Sequence, residues 1–528
     1  MTSVPNELAD PENDTMATYA VDPAVARRLT ARVVCSTTPQ WRTMTSPLTA
    51  GPVAALPLST ETDVIAAVAA ARDTQQRWAA TSLRSRADVL LRLHDILLDR
   101  QVEVLDLIQL ESGKARLHAF EEVVDTALCA RHYGRSASAY LRTRRRASGF
   151  PLLSASYESL LPKGVIGVVA PWNYPFSLAI TDLLPALLAG NAVVLRPDPQ
   201  TSLTALIGVE LLAEAGLPDG VLQVVLGDGA DVGQAVVDHA DYVCYTGSTQ
   251  TGRQVAESAA RRLVGASLEL GGKNSLYVRA DADLDRAVAG VVRSAFSSAG
   301  QLCIHTERLV VHESVAPELV TLLVPAVCAL RLGRDLAYGY DMGSLLNQRQ
   351  LDRVVEHVED ARSNGAQVLA GGRPRPDIGP FFYEPTVLDG VTPQMACRNA
   401  ETFGPVLSIY RVRSDDEAVA LVNDTAYGLS ASIFSRDARA ARALAGRVRA
   451  GTVNINDGYA AAWAAMGAPM GGMKDSGLGR RHGADGIRRF TEPQNVTVQR
   501  FPMNGPSTDG YVRVVTAALR LMKAARLR

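Results

Sequence analysis

Between positions 164 and 260, short runs rich in Val, Ile and Leu alternate with segments of helical length. The runs 164–169, 192–195, 221–225 and 241–245 have strand composition and are bounded by turn formers. Segments 177–188, 201–215, 232–239 and 251–260 between and after them carry apolar residues at helical spacing. Strands separated by helices must pair in parallel, through right-handed crossovers. The expectation is a twisted α/β sheet with a nucleotide crevice outside the carboxyl ends of its strands.

A second α/β region is expected from near Asp281, with helices at 284–299, 315–327 and 348–366 and strands at 308–311, 386–388, 406–409 and 431–434. Helical spacing also fills 60–80, 84–98, 102–110 and 118–139. Thr60 is placed to cap the first of these, with Asp63 three residues on. Segments 152–160 and 496–500 read as edge strands suited to pairing with another chain. Residues 1–20 are polar and read as a mobile arm. The basic cluster Arg142, Arg144, Arg145 and Arg146 reads as a solvated face, with a phosphate or partner contact as the alternative. The tail 512–528 is basic and amphipathic. It is expected to pack on the surface or fray, with a membrane-surface contact as the lesser reading.

A length of 528 residues calls for two to four domains. The net charge of -1 gives no bulk field for nucleic acid. Six cysteines lie far apart, none at a metal-knuckle spacing, which points to a reducing, cytoplasmic setting and to no metal site. The longest apolar stretch, 179–195, is broken by Asp182 and Asn191, so no transmembrane segment is expected.

The chemistry centres on Cys303 in Gly300-Gln301-Leu302-Cys303 and Glu269 in Leu268-Glu269-Leu270-Gly271-Gly272. A thiolate adds to an aldehyde to give a thiohemiacetal, hydride loss to a nicotinamide gives a thioester, and water releases the acid. That sequence needs a nucleophile, an oxyanion donor and a base. A single cysteine is more often packing than catalysis, so its neighbours decide.

Those neighbours are Pro171-Trp172-Asn173-Tyr174-Pro175, Tyr245-Thr246-Gly247-Ser248-Thr249, Glu401-Thr402-Phe403-Gly404-Pro405, Asn454-Ile455-Asn456 and Gly471-Gly472-Met473-Lys474-Asp475-Ser476-Gly477. With them, residues 50–500 resemble the NAD(P)-dependent aldehyde dehydrogenase superfamily, most closely bacterial succinate-semialdehyde dehydrogenases. The resemblance implies that fold: a Rossmann-like cofactor domain (21–149 and 163–280), an α/β catalytic domain (281–489) and a small β oligomerisation arm (150–162 and 490–503). A basic extension, 504–528, follows. It implies a homodimer or homotetramer.

By the same resemblance Cys303 is the nucleophile, Asn173 the oxyanion donor and Glu269 the general base for the deacylating water. Glu401 would hold the nicotinamide ribose, and Gly247, Ser248 and Thr249 would meet the pyrophosphate at a helix start. Trp172, Leu270 and Phe403 join the cofactor set. Gly227-Asp228-Gly229 with Gly233 is not a proper dinucleotide fingerprint. Arg196-Pro197-Asp198-Pro199 bears on cofactor choice. Many NAD-preferring members carry a glutamate where this chain has Pro199, and a cation at Arg196 suits a 2′-phosphate, so NADP is expected, with NAD the alternative and Asp198 pulling the other way.

For succinic semialdehyde the resemblance implies arginines and a serine around the distal carboxylate. This chain has Ser297, Thr181, and Ala465 with Met466 at those places. Succinic semialdehyde is the leading substrate expectation. A less polar aldehyde, met by Trp463, Met466, Met470 and Tyr174, is the alternative. His305 is expected to be structural.

Overall fold

The computed structural model describes residues 20–149, 154–500 and 507–526. The expectation for residues 1–20 therefore lies almost wholly outside the described residues.

The first sheet follows the predicted alternation. In spatial order its strands are Gly477–Leu478, Gly265–Glu269, Tyr242–Thr246, Val165–Val169, Ala192–Arg196 and Leu222–Val224. All pairs are parallel except the first, where Gly477 stands opposite Glu269. Val165–Val169 and Ala192–Arg196 are buried along their whole length, as strands covered on both faces must be. Strand order reverses at Val165–Val169, where the chain steps first to one side and later to the other. A ligand crevice is expected at such a switch point.

The second sheet has seven strands, in the order Gln367–Ala370, Thr386–Asp389, Val406–Val412, Thr306–His312, Asn274–Val278, Ser430–Phe434 and Thr452–Ile455. Only its first pair is antiparallel. The chain thus crosses between sheets in residues 270–273, earlier than the expected start near Asp281. The strand Asn274–Val278 is short, and its leading Asn and Ser hide it in the sequence. The helix expected over 284–299 ends at Phe296 instead.

A three-stranded antiparallel sheet projects from this body. Ser154–Pro162 pairs with Thr491–Gln499 on one side and Arg144–Arg146 on the other. Part of the basic cluster is therefore an edge strand, with Arg146 paired to Glu158. The tail forms one helix, Thr508–Ala524, with no buried residue. Among the described residues no helix is long and apolar enough to cross a membrane.

Two buried carboxylates tie the leading helices to the first sheet. Glu111 ends helix Gln101–Ser112 and accepts from Leu203 N and Thr204 N, at 3.0 and 2.7 Å, where helix Ser202–Glu214 begins. Glu122 in helix Arg116–Leu141 accepts from Phe176 N and Ser177 N, at 2.8 and 3.0 Å, where helix Pro175–Leu188 begins. Each satisfies amide groups that a helix start leaves open.

Candidate active site

The first sheet delivers two of the three expected catalytic residues. Asn173 lies in the loop between strand Val165–Val169 and helix Pro175–Leu188, and Glu269 is the last residue of its strand. The second sheet delivers Cys303, between helix Leu284–Phe296 and strand Thr306–His312. The site is therefore assembled across the two sheets.

The approach to Cys303 is an unusual piece of backbone. Ser298, Ala299 and Gly300 take φ of 51°, 53° and 69°. Left-handed conformations cost non-glycine residues free energy and persist only where the surroundings hold them. Here Ser298 N donates to His118 Nδ1 at 3.1 Å, Tyr174 Oη and Ser298 Oγ lie 2.8 Å apart, and Gln301 N donates to Ser298 O at 3.0 Å. At Gly300 a Cβ would meet Gly404 O at 2.1 Å, so only glycine fits. The Cys303 carbonyl is fixed from the other side by Asn274 Nδ2 at 2.7 Å.

Glu269 is buried, and its Oε1 has no hydrogen-bond partner among the described residues. Burial, partly offset by Arg481 and Arg489, pushes its carboxyl up to about 7. The Cys303 thiol is pushed up to about 12 by burial and by the carboxylates of Glu269 and Glu401. Asn173 Nδ2 donates to Gln301 O at 2.9 Å, which brings the amide to the Cys303 loop. Asn173 O accepts from Lys114 Nζ at 2.7 Å. Lys114 is itself buried, paired with Glu122 at 2.5 Å and 3.7 Å from the centre of the Tyr174 ring. Glu122 thus orders both the Asn173 loop, through Lys114, and the helix that follows it.

Several of the expected cofactor residues contact the segments that carry Glu269 and Cys303. Glu401 accepts from Gly272 N at 2.8 Å, and burial raises its carboxyl to about 7. The loop that carries it is held by Glu307, which accepts from Thr402 N and Phe403 N and pairs with Lys273. Trp172 and Phe403 meet edge to face at 5.5 Å. Leu270 N donates to Ser476 O at 2.9 Å. Gly247 N donates to Glu269 O at 3.1 Å, Ser248 caps helix Thr249–Arg261, and Thr249 Oγ1 donates to Asp475 O at 3.1 Å. Arg196 is buried and spends Nε and Nη2 on Gly227 O. Asp198 caps the short turn Pro199–Thr201 by accepting from Gln200 N.

The model of the aldehyde dehydrogenase family matches residues 35–496. The chain belongs to the aldehyde dehydrogenase family. It is 46% identical over 472 residues to a Mycobacterium ulcerans protein, spanning 88% of this chain and 91% of that one. A Mycolicibacterium smegmatis protein is 48% identical over 472 residues, at 89% and 91% coverage. Both carry the name putative succinate-semialdehyde dehydrogenase, NADP(+). Among solved structures, an E. coli NADP-dependent enzyme aligns with TM-score 0.84 at 31% identity, covering 87% of this chain and 95% of that one. A Staphylococcus aureus betaine aldehyde dehydrogenase in complex with NAD+ aligns with TM-score 0.84 at 28% identity, covering 89% and 94%. The chain is an enzyme with the aldehyde dehydrogenase fold, and its activity is that of an aldehyde dehydrogenase.

Of the positions expected near the substrate, Ser297 is committed to Arg293 O at 2.6 Å and to Tyr459 Oη at 3.0 Å. Thr181 accepts from Arg481 Nη2 at 2.7 Å. Tyr174, Leu178, Trp463 and Met470 pack in one cluster with Cys303. His305 is buried against Glu307, 3.3 Å from it, away from the base role. Sequence reasoning missed Lys114, Glu122, Asn274, Glu307 and Arg481. The Gly113 before Lys114, with φ of 74°, was the one legible sign of a turn there.

Proposed function

We propose that Cys303 attacks the aldehyde carbon while Asn173 and the Cys303 backbone N–H stabilise the oxyanion. What supports this most is the convergence of a fixed thiol loop from one sheet with a bare carboxylate and an amide from the other. With the thiol pushed up to about 12, its proton must leave as the sulfur–carbon bond forms. Glu269, when ionised, can take that proton, release it to solvent, and later take one from the water that cleaves the thioester, returning it to the departing sulfur. Water attack restores the thiol and releases the acid.

The residues fit a bound dinucleotide. Ser248 opens a thirteen-residue helix toward the crevice, Glu401 and Phe403 sit on a loop clamped by Glu307, and Arg196 supplies a buried cation. When bound, the nicotinamide supplies the hydride acceptor. NADP is the proposed cofactor, with NAD the alternative. The two carboxylates near Arg196 are occupied, Asp228 by a bidentate pair with Arg42 and Asp198 by the Gln200 amide. The Arg42 pair offsets the charge of Asp228, while Asp198 still weighs against a 2′-phosphate beside Arg196.

The relatives' names favour succinic semialdehyde as substrate. A second reading, a less polar aldehyde, draws on the apolar cluster around Cys303. Turnover of succinic semialdehyde, butanal, hexanal and benzaldehyde with each cofactor tests both. A clear kcat/KM advantage for the semialdehyde over butanal is expected, and no advantage would remove it as the substrate. We also propose that the projecting three-stranded sheet is the oligomerisation arm of a homodimer or homotetramer, and that the first and second sheets are the cores of the cofactor-binding and catalytic domains.

A further inference from the structure

Helix Thr508–Ala524 buries none of its side chains. Its start is capped from within, by Ser507 Oγ accepting from Gly510 N at 3.2 Å. Among the described residues, no hydrogen bond or ion pair joins it to the body of the protein. The segment was expected to pack on the surface or fray. It does neither, being helical to Ala524 and docked on nothing that is described.

The helix sorts its residues by face. At about 100° per residue, Tyr511, Val515, Ala518 and Met522 fall along one line. Val512 and Leu519 flank that line on one side, Val514 and Leu521 on the other. These flanking residues are 55, 53, 65 and 71% exposed, and the middle of the stripe is only partly covered. Arg513, Thr516 and Arg520 lie on the other side of the helix, with Lys523 at the border between the two faces. Arg526 follows the helix end and is exposed. An apolar stripe left in water over the length of a helix marks a surface for a partner.

Charge decides which partner. Between 507 and 526 the cations Arg513, Arg520, Lys523 and Arg526 face the single anion Asp509. A second copy of this chain offers the exposed apolar residues of the projecting sheet, but the edge strand of that sheet is Arg144-Arg145-Arg146, of like charge. A nucleic acid would match the cations and leave the apolar stripe in water. An anionic bilayer answers both faces, with phosphates at the level of the cations and the acyl boundary beneath the stripe.

We propose that helix Thr508–Ala524 is a membrane-surface element that seats the enzyme on anionic phospholipid. It lies in the plane of the interface, with the Val514–Leu521 and Val512–Leu519 flanks in the acyl boundary and Arg513, Arg520 and Lys523 among the headgroups. The proposal stands on this helix alone and is independent of which aldehyde is oxidised.

The test is co-sedimentation of the full-length enzyme with vesicles of equal parts phosphatidylglycerol and phosphatidylcholine, and with vesicles of phosphatidylcholine alone. Binding is expected to the first and to be at least about tenfold weaker to the second, and to fall as salt is raised. Arg513→Gln, Arg520→Gln and Lys523→Gln combined should weaken it by about a hundredfold, at roughly fivefold for each cation. Val514→Asp with Leu521→Asp should weaken it by about tenfold or more while the cations stay in place. A chain ending at Pro506 should not sediment with either vesicle. Aldehyde turnover in solution should be unchanged in all of these variants, which shows that they are folded. Failure of the wild type to bind the anionic vesicles, or binding that survives the truncation undiminished, would overturn the proposal. So would equal binding to both vesicles, or tighter binding to duplex DNA at the same salt. A smaller assembly mass for the truncated chain by light scattering would assign the helix to a subunit contact and overturn it as well.

Discussion

At the scale of single residues, the proposed roles separate cleanly by charge. Glu269 works as a base only when ionised, and burial places that change near pH 7. Turnover limited by thioester hydrolysis should therefore rise with pH through about 7 and level off above it. In Glu269→Gln the pH–rate profile should lose that inflection, and the rate should fall by about 10²–10⁴-fold, the usual contribution of a positioned base. Cys303→Ala should abolish dehydrogenase turnover while the protein stays folded, because the thiol loop is held by backbone and not by the thiol. Retained turnover in that variant would end the covalent reading. Cys303, Glu269, Asn173 and Glu401 were legible because they sit in ordered motifs whose spacing survives in one dimension. Arg481 was not. It pairs with Asp182, some 300 positions away, and that pairing exists only after folding.

At the scale of elements, the alternation between 164 and 260 was read almost strand for strand, because fully buried parallel strands leave continuous apolar runs. Less legible were Gly265–Glu269 and Asn274–Val278, which carry polar residues inside the sheets, and the left-handed turn at 298–300, where nothing but Gly300 hints at the backbone. The helix starts held by Glu111 and Glu122 could not be seen either, since each pairing joins distant segments. They are open to measurement. Glu111→Ala should strip Leu203 N and Thr204 N of their partner and lower unfolding free energy by about 1–3 kcal/mol in urea titration, with little change in kcat. Lys114→Met should cost more, about 3–5 kcal/mol, because it leaves Glu122 buried without its cation. It should also lower kcat, since Asn173 loses the contact that fixes its carbonyl.

At the scale of the whole molecule, the arm is the feature that ordinary folding leaves unfinished. Tyr157, Leu161, Val496 and Val498 are exposed on paired strands that share one small sheet. Apolar side chains on an extended, exposed sheet fit the oligomerisation role proposed for it. Val496→Lys combined with Val498→Lys should lower the mass measured by light scattering to that of a smaller assembly, with secondary structure retained. An unchanged mass would show that the arm's outer face is not the contact. Deleting 507–528 should leave turnover unchanged, because the terminal helix buries no residue of its own.

The crossing between the sheets has a mechanical side as well. Residues 270–273 join the strand that ends in Glu269 to the strand that Asn274 begins. They are pinned by Ser476, Glu401 and Glu307 at successive positions. The proposed base and nucleophile ride on different sheets, yet the strap between them has no slack. Loss of the acyl group from Cys303 should then be insensitive to solvent viscosity, whereas steps that require the crevice to open should slow in glycerol or sucrose.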